Sequence, residues 1–219
     1  ALAVPAEGEP ELFCLWLEAD HVRQACEIEK VTGCVFPQKN QSIMMAEWLK
    51  ARNWKAPRIG FTRYFISLND YLCLRDAAPD MKVCDLATVC YQLRSVKEEG
   101  EIEKMRMAGK ALAAGMQAAI DCVKPGMMEV EVLAEAEYAM TRAGSQGSSF
   151  RMQVLTHRRK MQEHPYASRA RLEDHAPVVI HLGASCEGYV AKMCRTVFLC
   201  KPDPESVLIY ETLKEAQQI

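Results

Sequence analysis

The spacing of apolar positions changes partway along the chain, and the change divides it in two. Before residue 92 the apolar runs are short. Residues 11–17 (ELFCLWL) and 31–36 (VTGCVF) predict two buried strands, and residues 58–61 and 81–85 two shorter ones. Between them, residues 42–51 (SIMMAEWLKA) and 68–75 carry helical spacing, with Ser42 a candidate N-cap. Alternating strands and helices predict a small α/β domain over residues 1–92.

From residue 98 the period lengthens. Ile102, Met105, Met107, Ala108, Leu112, Met116 and Ile120 recur at three- and four-residue spacing, which predicts one long helix over 98–123. Lys124-Pro125-Gly126 stops it, and residues 129–143 form a second amphipathic helix ended by Gly144. The pattern then turns to strands at 151–156, 177–182 and 189–199, with Ser185–Gly188 as the loop of a hairpin, before helix returns at 205–218. From residue 98 onward the order is α-α-β-β-β-α, an α+β arrangement.

Composition narrows the function classes. The chain has 219 residues, 49% hydrophobic and 26% charged, which is an ordinary globular balance. Its formal charge of −2 gives no basis for binding nucleic acid or an anionic membrane, and no apolar run reaches the roughly 18–20 residues of a membrane helix. Ten cysteines stand mostly in apolar runs without CxxC pairing, which predicts buried free thiols in a reducing, cytoplasmic setting rather than a zinc site.

Three positions draw attention as chemistry. With a four-residue loop at 185–188, Ala184 faces Tyr189, and His181 then lies directly opposite Lys192, Cβ atoms roughly 5 Å apart. Lys192, Cys194 and Thr196 share one strand face; Arg195 takes the other. A His beside a Lys on a mostly apolar strand pair reads either as an exposed edge or as a partly buried polar floor. His164 stands in a loop just before the strand pair, in KMQEHPYAS.

These residues carry a resemblance. Leu93-Arg94-Ser95-Val96-Lys97 with Glu101-Ile102 and Met105-Arg106 is similar to the entry into the catalytic domain of the creatinase/aminopeptidase-P (Xaa-Pro peptidase, pita-bread) family. Lys124-Pro125-Gly126-Met127 with Glu129 and Glu131 resembles that family's KPGMxExE turn. His164, Leu172-Glu173, Gly183-Ala184, Gly188-Tyr189 and Arg195-Thr196 follow in the family's order. Residues 9–91 resemble the later part of its N-terminal domain.

The resemblance implies a creatinase-type α/β domain over 1–92 and the first half of a pita-bread catalytic domain over 93–219. In metal-dependent members the positions of His181 and Lys192 are both Asp and hold two metal ions. Here they are not, so no metal or other cofactor is expected, and the likeness is to the metal-independent, creatinase-like members. Those use a His at the position of His164, with Glu at the position of Cys194 and Tyr at that of Val190; this chain keeps only the His. His157, His175 and Cys200 stand where relatives usually have Gly, and Ala176 where they usually have Asp.

The expected function is hydrolysis of an amide-type C–N bond in a small polar substrate or short peptide. His164 would be the catalytic acid and base, with Lys192, Arg195 and His181 holding substrate. The alternatives are a metal-dependent Xaa-Pro aminopeptidase or dipeptidase, and a non-catalytic binding module. The full-length protein is expected to be a homodimer, and residues 1–219 alone to be inactive and to associate.

Overall fold

Parallel strands cannot be joined by a tight turn, so each parallel pair here has a helix between its members. β1 (Leu2–Ala3) runs antiparallel to β2 (Glu11–Leu15). A 3-10 turn at Trp16–Glu18 and α1 (Ala19–Ala25) then carry the chain to β3 (Lys30–Cys34), parallel to β2. After α2 (Gln41–Ala51), β4 (Arg58–Phe61) and β5 (Lys82–Asp85) form a second parallel pair, with α3 (Leu68–Ala77) between them; α4 (Ala87–Ser95) follows. The computed structural model describes residues 1–62, 66–159, 161–162 and 165–218. It divides into two compact units, Ala1–Val96 and Lys97–Ile219.

In the first unit, alternate residues of β2 serve opposite faces. Phe13 packs with Cys34 and Met44, while Cys14 packs with Ala19 and Val31. One expectation fails locally: Asn40, not Ser42, caps α2, its side chain accepting from the Ile43 amide at 2.9 Å. Ser42 lies two residues further in, buried, and donates its hydroxyl to Asp70 of α3.

The second unit begins with α5 (Glu99–Cys122) and α6 (Glu129–Arg142). These cover one face of an antiparallel sheet of β6 (Gln153–Leu155), β7 (Pro177–Cys186) and β8 (Tyr189–Phe198), in the order β6-β7-β8. Small residues dominate where the helices meet. Ala108, Ala111, Leu112, Gly115, Met116 and Ala119 are the buried stripe of α5, whereas Met105, Met107 and Ile120 are exposed. A Cβ at Gly115 would overlap the Met140 side chain and come within 2.9 Å of the Ala136 carbonyl, so the glycine sets the helix spacing.

From the sheet, Val178, Ile180, Leu182 and Ala184 point into the same core. Each large aliphatic side chain buried there contributes on the order of 1.5–3 kcal/mol. α7 (Pro204–Ala216), capped by Asp203, buries none of its residues; Leu208, Ile209, Tyr210 and Leu213 stand exposed. No described helix is long and apolar enough to cross a membrane.

Candidate functional site: the open face of the β6–β8 sheet

The face of β7 turned away from the helices carries Val179, His181 and Gly183, and the register decides what stands beside them. β7 and β8 are joined by a turn of two residues, Glu187 and Gly188, with φ of 47° and 82°. Two positive φ values match the tight hairpin turn whose twist suits the flanking strands. Cys186 therefore pairs with Tyr189, and β7 runs four residues past the end that its apolar run suggests.

The shorter turn corrects the expected pairing. His181 lies opposite Cys194, and Lys192 lies opposite Gly183. His181 and Lys192 remain on one face as diagonal neighbours, on the order of 7 Å apart. On the other side Gln153 of β6 pairs with His181, so Gln153, His181 and Cys194 form one row across the sheet. Leu155, Val179 and Thr196 form the next row.

Each member is held by its surroundings. The His181 ring is half-buried against Phe150, centroids 4.4 Å apart. Phe150 is admitted because residue 183 is glycine: a Cβ there would overlap the Phe150 ring and the Ser149 hydroxyl. Gln153, buried, donates from Nε2 to the Pro165 carbonyl at 2.9 Å. Lys192 is exposed and makes no ion pair with any described residue. Desolvation against the sheet pushes the Cys194 thiol above its ordinary pKa, with Arg195 opposing, so it stays a thiol near neutral pH. The hairpin tip is tied down at α5. Tyr189 donates its hydroxyl to Glu101 at 2.6 Å, and Lys104 pairs with Glu187 at 3.2 Å.

Of the residues expected to form a site, the structure brings His181 and Lys192 together. Arg195 is opposite Ile180, on the other face, as its spacing predicts, and donates to the Cys194 carbonyl at 2.7 Å. His164 lies outside the described residues.

Sequence reasoning missed the feature that organises the segment around it. Glu129, the first residue of α6, is fully buried. One carboxylate oxygen accepts from the Thr156 amide at 2.9 Å. The other accepts from the Ser168 amide and hydroxyl, each at 2.8 Å, and pairs with Arg159. Arg159 also donates to the Ser168 hydroxyl at 2.6 Å and to the Tyr166 carbonyl at 2.9 Å. An acid at the start of a helix suits the helix dipole and is common, so the position alone carries no hint of burial. The hint lay in a buried charge's need for a partner, but partners 27 to 39 residues away cannot be paired by spacing. Close by, Glu173 accepts from Arg158 at 2.8 Å, while its other oxygen is buried without a partner among the described residues.

The donor set on the open face is an imidazole, an ammonium, a thiol, a hydroxyl and an amide. Hard divalent ions take oxygen ligands, above all carboxylates. An ammonium about 5 Å from a dication would repel it by about 7 kcal/mol at an effective dielectric of 20. Among the described residues no group of three His, Cys, Asp or Glu side chains could hold a metal. These residues do not fit a dinuclear centre of hard cations.

Comparison with known proteins places this geometry in a family. The model of metallopeptidase family M24 matches residues 103–219, more than half of the chain. The chain belongs to family M24. It is 28% identical over 212 residues to YkvY of Bacillus subtilis, a candidate dipeptidase, covering 97% of this chain and 58% of that protein. Among solved M24-like structures, the prolidase of Pyrococcus furiosus superposes with a TM-score of 0.83 at 26% identity, over 96% of this chain and 59% of the other. The X-Pro aminopeptidase of Thermotoga maritima gives 0.79 at 25% identity, over 97% and 59%. The structural neighbours are thus Xaa-Pro peptidases and prolidases of pita-bread fold, and this chain covers part of that M24 architecture, spanning less than two thirds of each of these relatives.

Proposed function

We propose that the full-length protein is an Xaa-Pro-peptidase-like hydrolase that cleaves an amide-type C–N bond in a short peptide or small polar substrate without a dinuclear metal centre. The observation that carries this reading is the donor set of the open sheet face, which among the described residues is an imidazole, an ammonium, a thiol, a hydroxyl and an amide. Likeness to a prolidase and an X-Pro aminopeptidase supports a peptide as substrate.

In the reaction, His164 takes a proton from the attacking water as its oxygen bonds to the carbonyl carbon. It returns that proton to the nitrogen as the C–N bond breaks, so one imidazole serves as base and then as acid. Lys192, the exposed cation of the face, binds the substrate carboxylate, and His181 hydrogen-bonds a substrate oxygen. Cys194 is given no nucleophilic role, since a thiol with a raised pKa is a poor nucleophile. Arg195 faces away from His181 and is left out of the site.

The same reading assigns the chain to the metal-independent, creatinase-like branch. Residues 1–92 form a creatinase-type N-terminal domain and 93–219 the first half of the catalytic domain, in a cytoplasmic homodimer. A metal-dependent peptidase is opposed by the ammonium of Lys192. A non-catalytic binding module is favoured by one observation, the lack of carboxylates among the described residues of the face.

The test is turnover of Xaa-Pro dipeptides by the full-length protein in excess chelator. Turnover that persists, and that falls about 10²–10⁴-fold in His164→Ala, supports the proposal. Turnover that vanishes with chelator and returns with Mn²⁺ overturns it. Dipeptide binding without any turnover selects the binding module.

A further inference from the structure

Segment 156–168, in which His164 stands, is bound at both ends by one carboxylate. Glu129 accepts from the Thr156 amide at one end and from the Ser168 amide and hydroxyl at the other. Arg159, three residues into the segment, closes the arrangement by pairing with Glu129 and donating to Ser168 and to the Tyr166 carbonyl. The backbone extends the attachment: the Val130 amide donates to the Ser168 carbonyl at 3.1 Å and the Glu129 amide to the Ala170 carbonyl at 3.0 Å. Gln153 adds a bond from β6 to the Pro165 carbonyl.

The arrangement is expensive to bury, and the core packing of α6 does not require it. Val132, Ala136 and Met140 already fill the helix's inward stripe. A buried carboxylate is tolerated only when its lone pairs are used, and those of Glu129 are spent on this segment and its arginine. Neutral side chains would anchor α6 at lower desolvation cost. What they would not supply is a single rigid point that accepts from backbone amides twelve residues apart in the chain.

We infer that Glu129 is a positioning residue, which clamps Thr156 and Ser168, on either side of His164 in the chain, to the start of α6 and so limits the freedom of the catalytic residue carried between them. Its functional half rests on the assignment of His164 above; its structural half does not. A displacement of about 1 Å of a catalytic group costs roughly a hundredfold in rate, which is the scale on which such a clamp acts.

The experiment uses the full-length protein with Glu129→Gln and the milder Ser168→Ala, read by amide hydrogen exchange and, on an Xaa-Pro dipeptide, by turnover. In Glu129→Gln, exchange across 156–168 should rise about tenfold or more while the buried stripe of α5 keeps its wild-type protection. Ser168→Ala, which removes one hydroxyl and preserves the fold, should give the same change in smaller degree. Turnover should fall roughly tenfold to a hundredfold in kcat with little change in KM, and Glu129→Asp should recover part of it. Unchanged exchange in both variants overturns the inference, as does a rise spread evenly through the second unit. If His164→Ala keeps full activity while the segment still loosens in Glu129→Gln, the catalytic reading fails and the clamp stands. If His164→Ala is inactive but Glu129→Gln loosens the segment without lowering kcat, the positioning role fails.

Discussion

Across the β7–β8 ladder His181 pairs with Cys194, and this leaves Lys192 one row further out, opposite Gly183. The ammonium sits where the sheet face opens to solvent, and the imidazole sits deeper against Phe150. The two therefore divide the face into an exposed cationic end and a sheltered hydrogen-bonding end, a polarity suited to a substrate with one charged terminus.

That donor set predicts no saturable Mn²⁺ binding at this face. In the full-length protein, the paired change His181→Asp and Lys192→Asp should bring binding that is about a hundredfold tighter or more, read by titration calorimetry. Saturable binding by the wild type, abolished by His181→Ala, would contradict the donor-set argument.

Removing one partner of a buried ion pair strands the other. Arg159→Met should destabilise the second unit by about 3–5 kcal/mol, because it leaves the fully buried Glu129 charged among neutral donors. Adding Glu129→Gln should restore part of that loss. A denaturant melt of the two single variants and the double variant yields the coupling, and strict additivity would mean that the pair does not interact.

Gly183→Ala tests how the face is built. The new methyl group would displace Phe150 and Ser149, so a loss of about 1–3 kcal/mol is expected. The His181 ring signals in an NMR spectrum should shift with it as the aromatic neighbour moves. An unshifted His181 would mean that Phe150 does not support the ring.

His175 has φ of 57°, in the left-handed region where a Cβ is strained. It is one of the positions at which glycine was expected from resemblance, and the backbone retains the glycine-like conformation. His175→Gly should stabilise the second unit by about 0.5–1 kcal/mol, seen as a raised melting midpoint. His157 and Cys200 have no positive φ, so the same exchange there should bring no gain.

Asp70 gives a pH dependence. Burial raises its pKa, but hydrogen bonds from Ser42 and Ser67 outweigh that and hold it below its ordinary 3.8. A depressed carboxylate pKa stabilises the fold at pH values above the unfolded pKa. The contribution disappears as the pH falls through the lower, folded pKa. Asp70→Asn should therefore cost about 1 kcal/mol near neutral pH and progressively less below about pH 4, in chemical melts across that range.

Elements legible in the sequence include α5 and α6, which have a buried stripe, and α7, which buries no residue. α5, α6, β4, β7 and β8 have apolar periods strong enough to locate them within a few residues. α1 and α4 span only seven and nine residues, too short for a helical period to stand out from the sequence. The α5 stripe was drawn too wide because large methionines mark a pattern more visibly than alanines, although alanine and glycine are what let α6 approach. In the site, the shared face of His181 and Lys192 was legible, since face membership needs only parity. Their pairing was not, because it depends on turn length, and Glu187 is not the Asn or Asp that usually announces a two-residue turn. The Glu129 knot was invisible because every bond in it is non-local.

The two-residue turn at Glu187-Gly188 makes the chemistry of this face editable and its frame not. Side chains at 181, 192 and 194 can be exchanged one at a time while the ladder behind them keeps its bonds. A single residue gained or lost in the turn would instead turn β8 over, sending Lys192, Cys194 and Thr196 into the core and bringing Met193, Arg195 and Val197 to the surface. A lineage could thus discard carboxylates by point substitution and keep a working scaffold, but it could not change the length of that corner. Descent in this part of the molecule should be legible in its spacing long after its reactive groups have diverged.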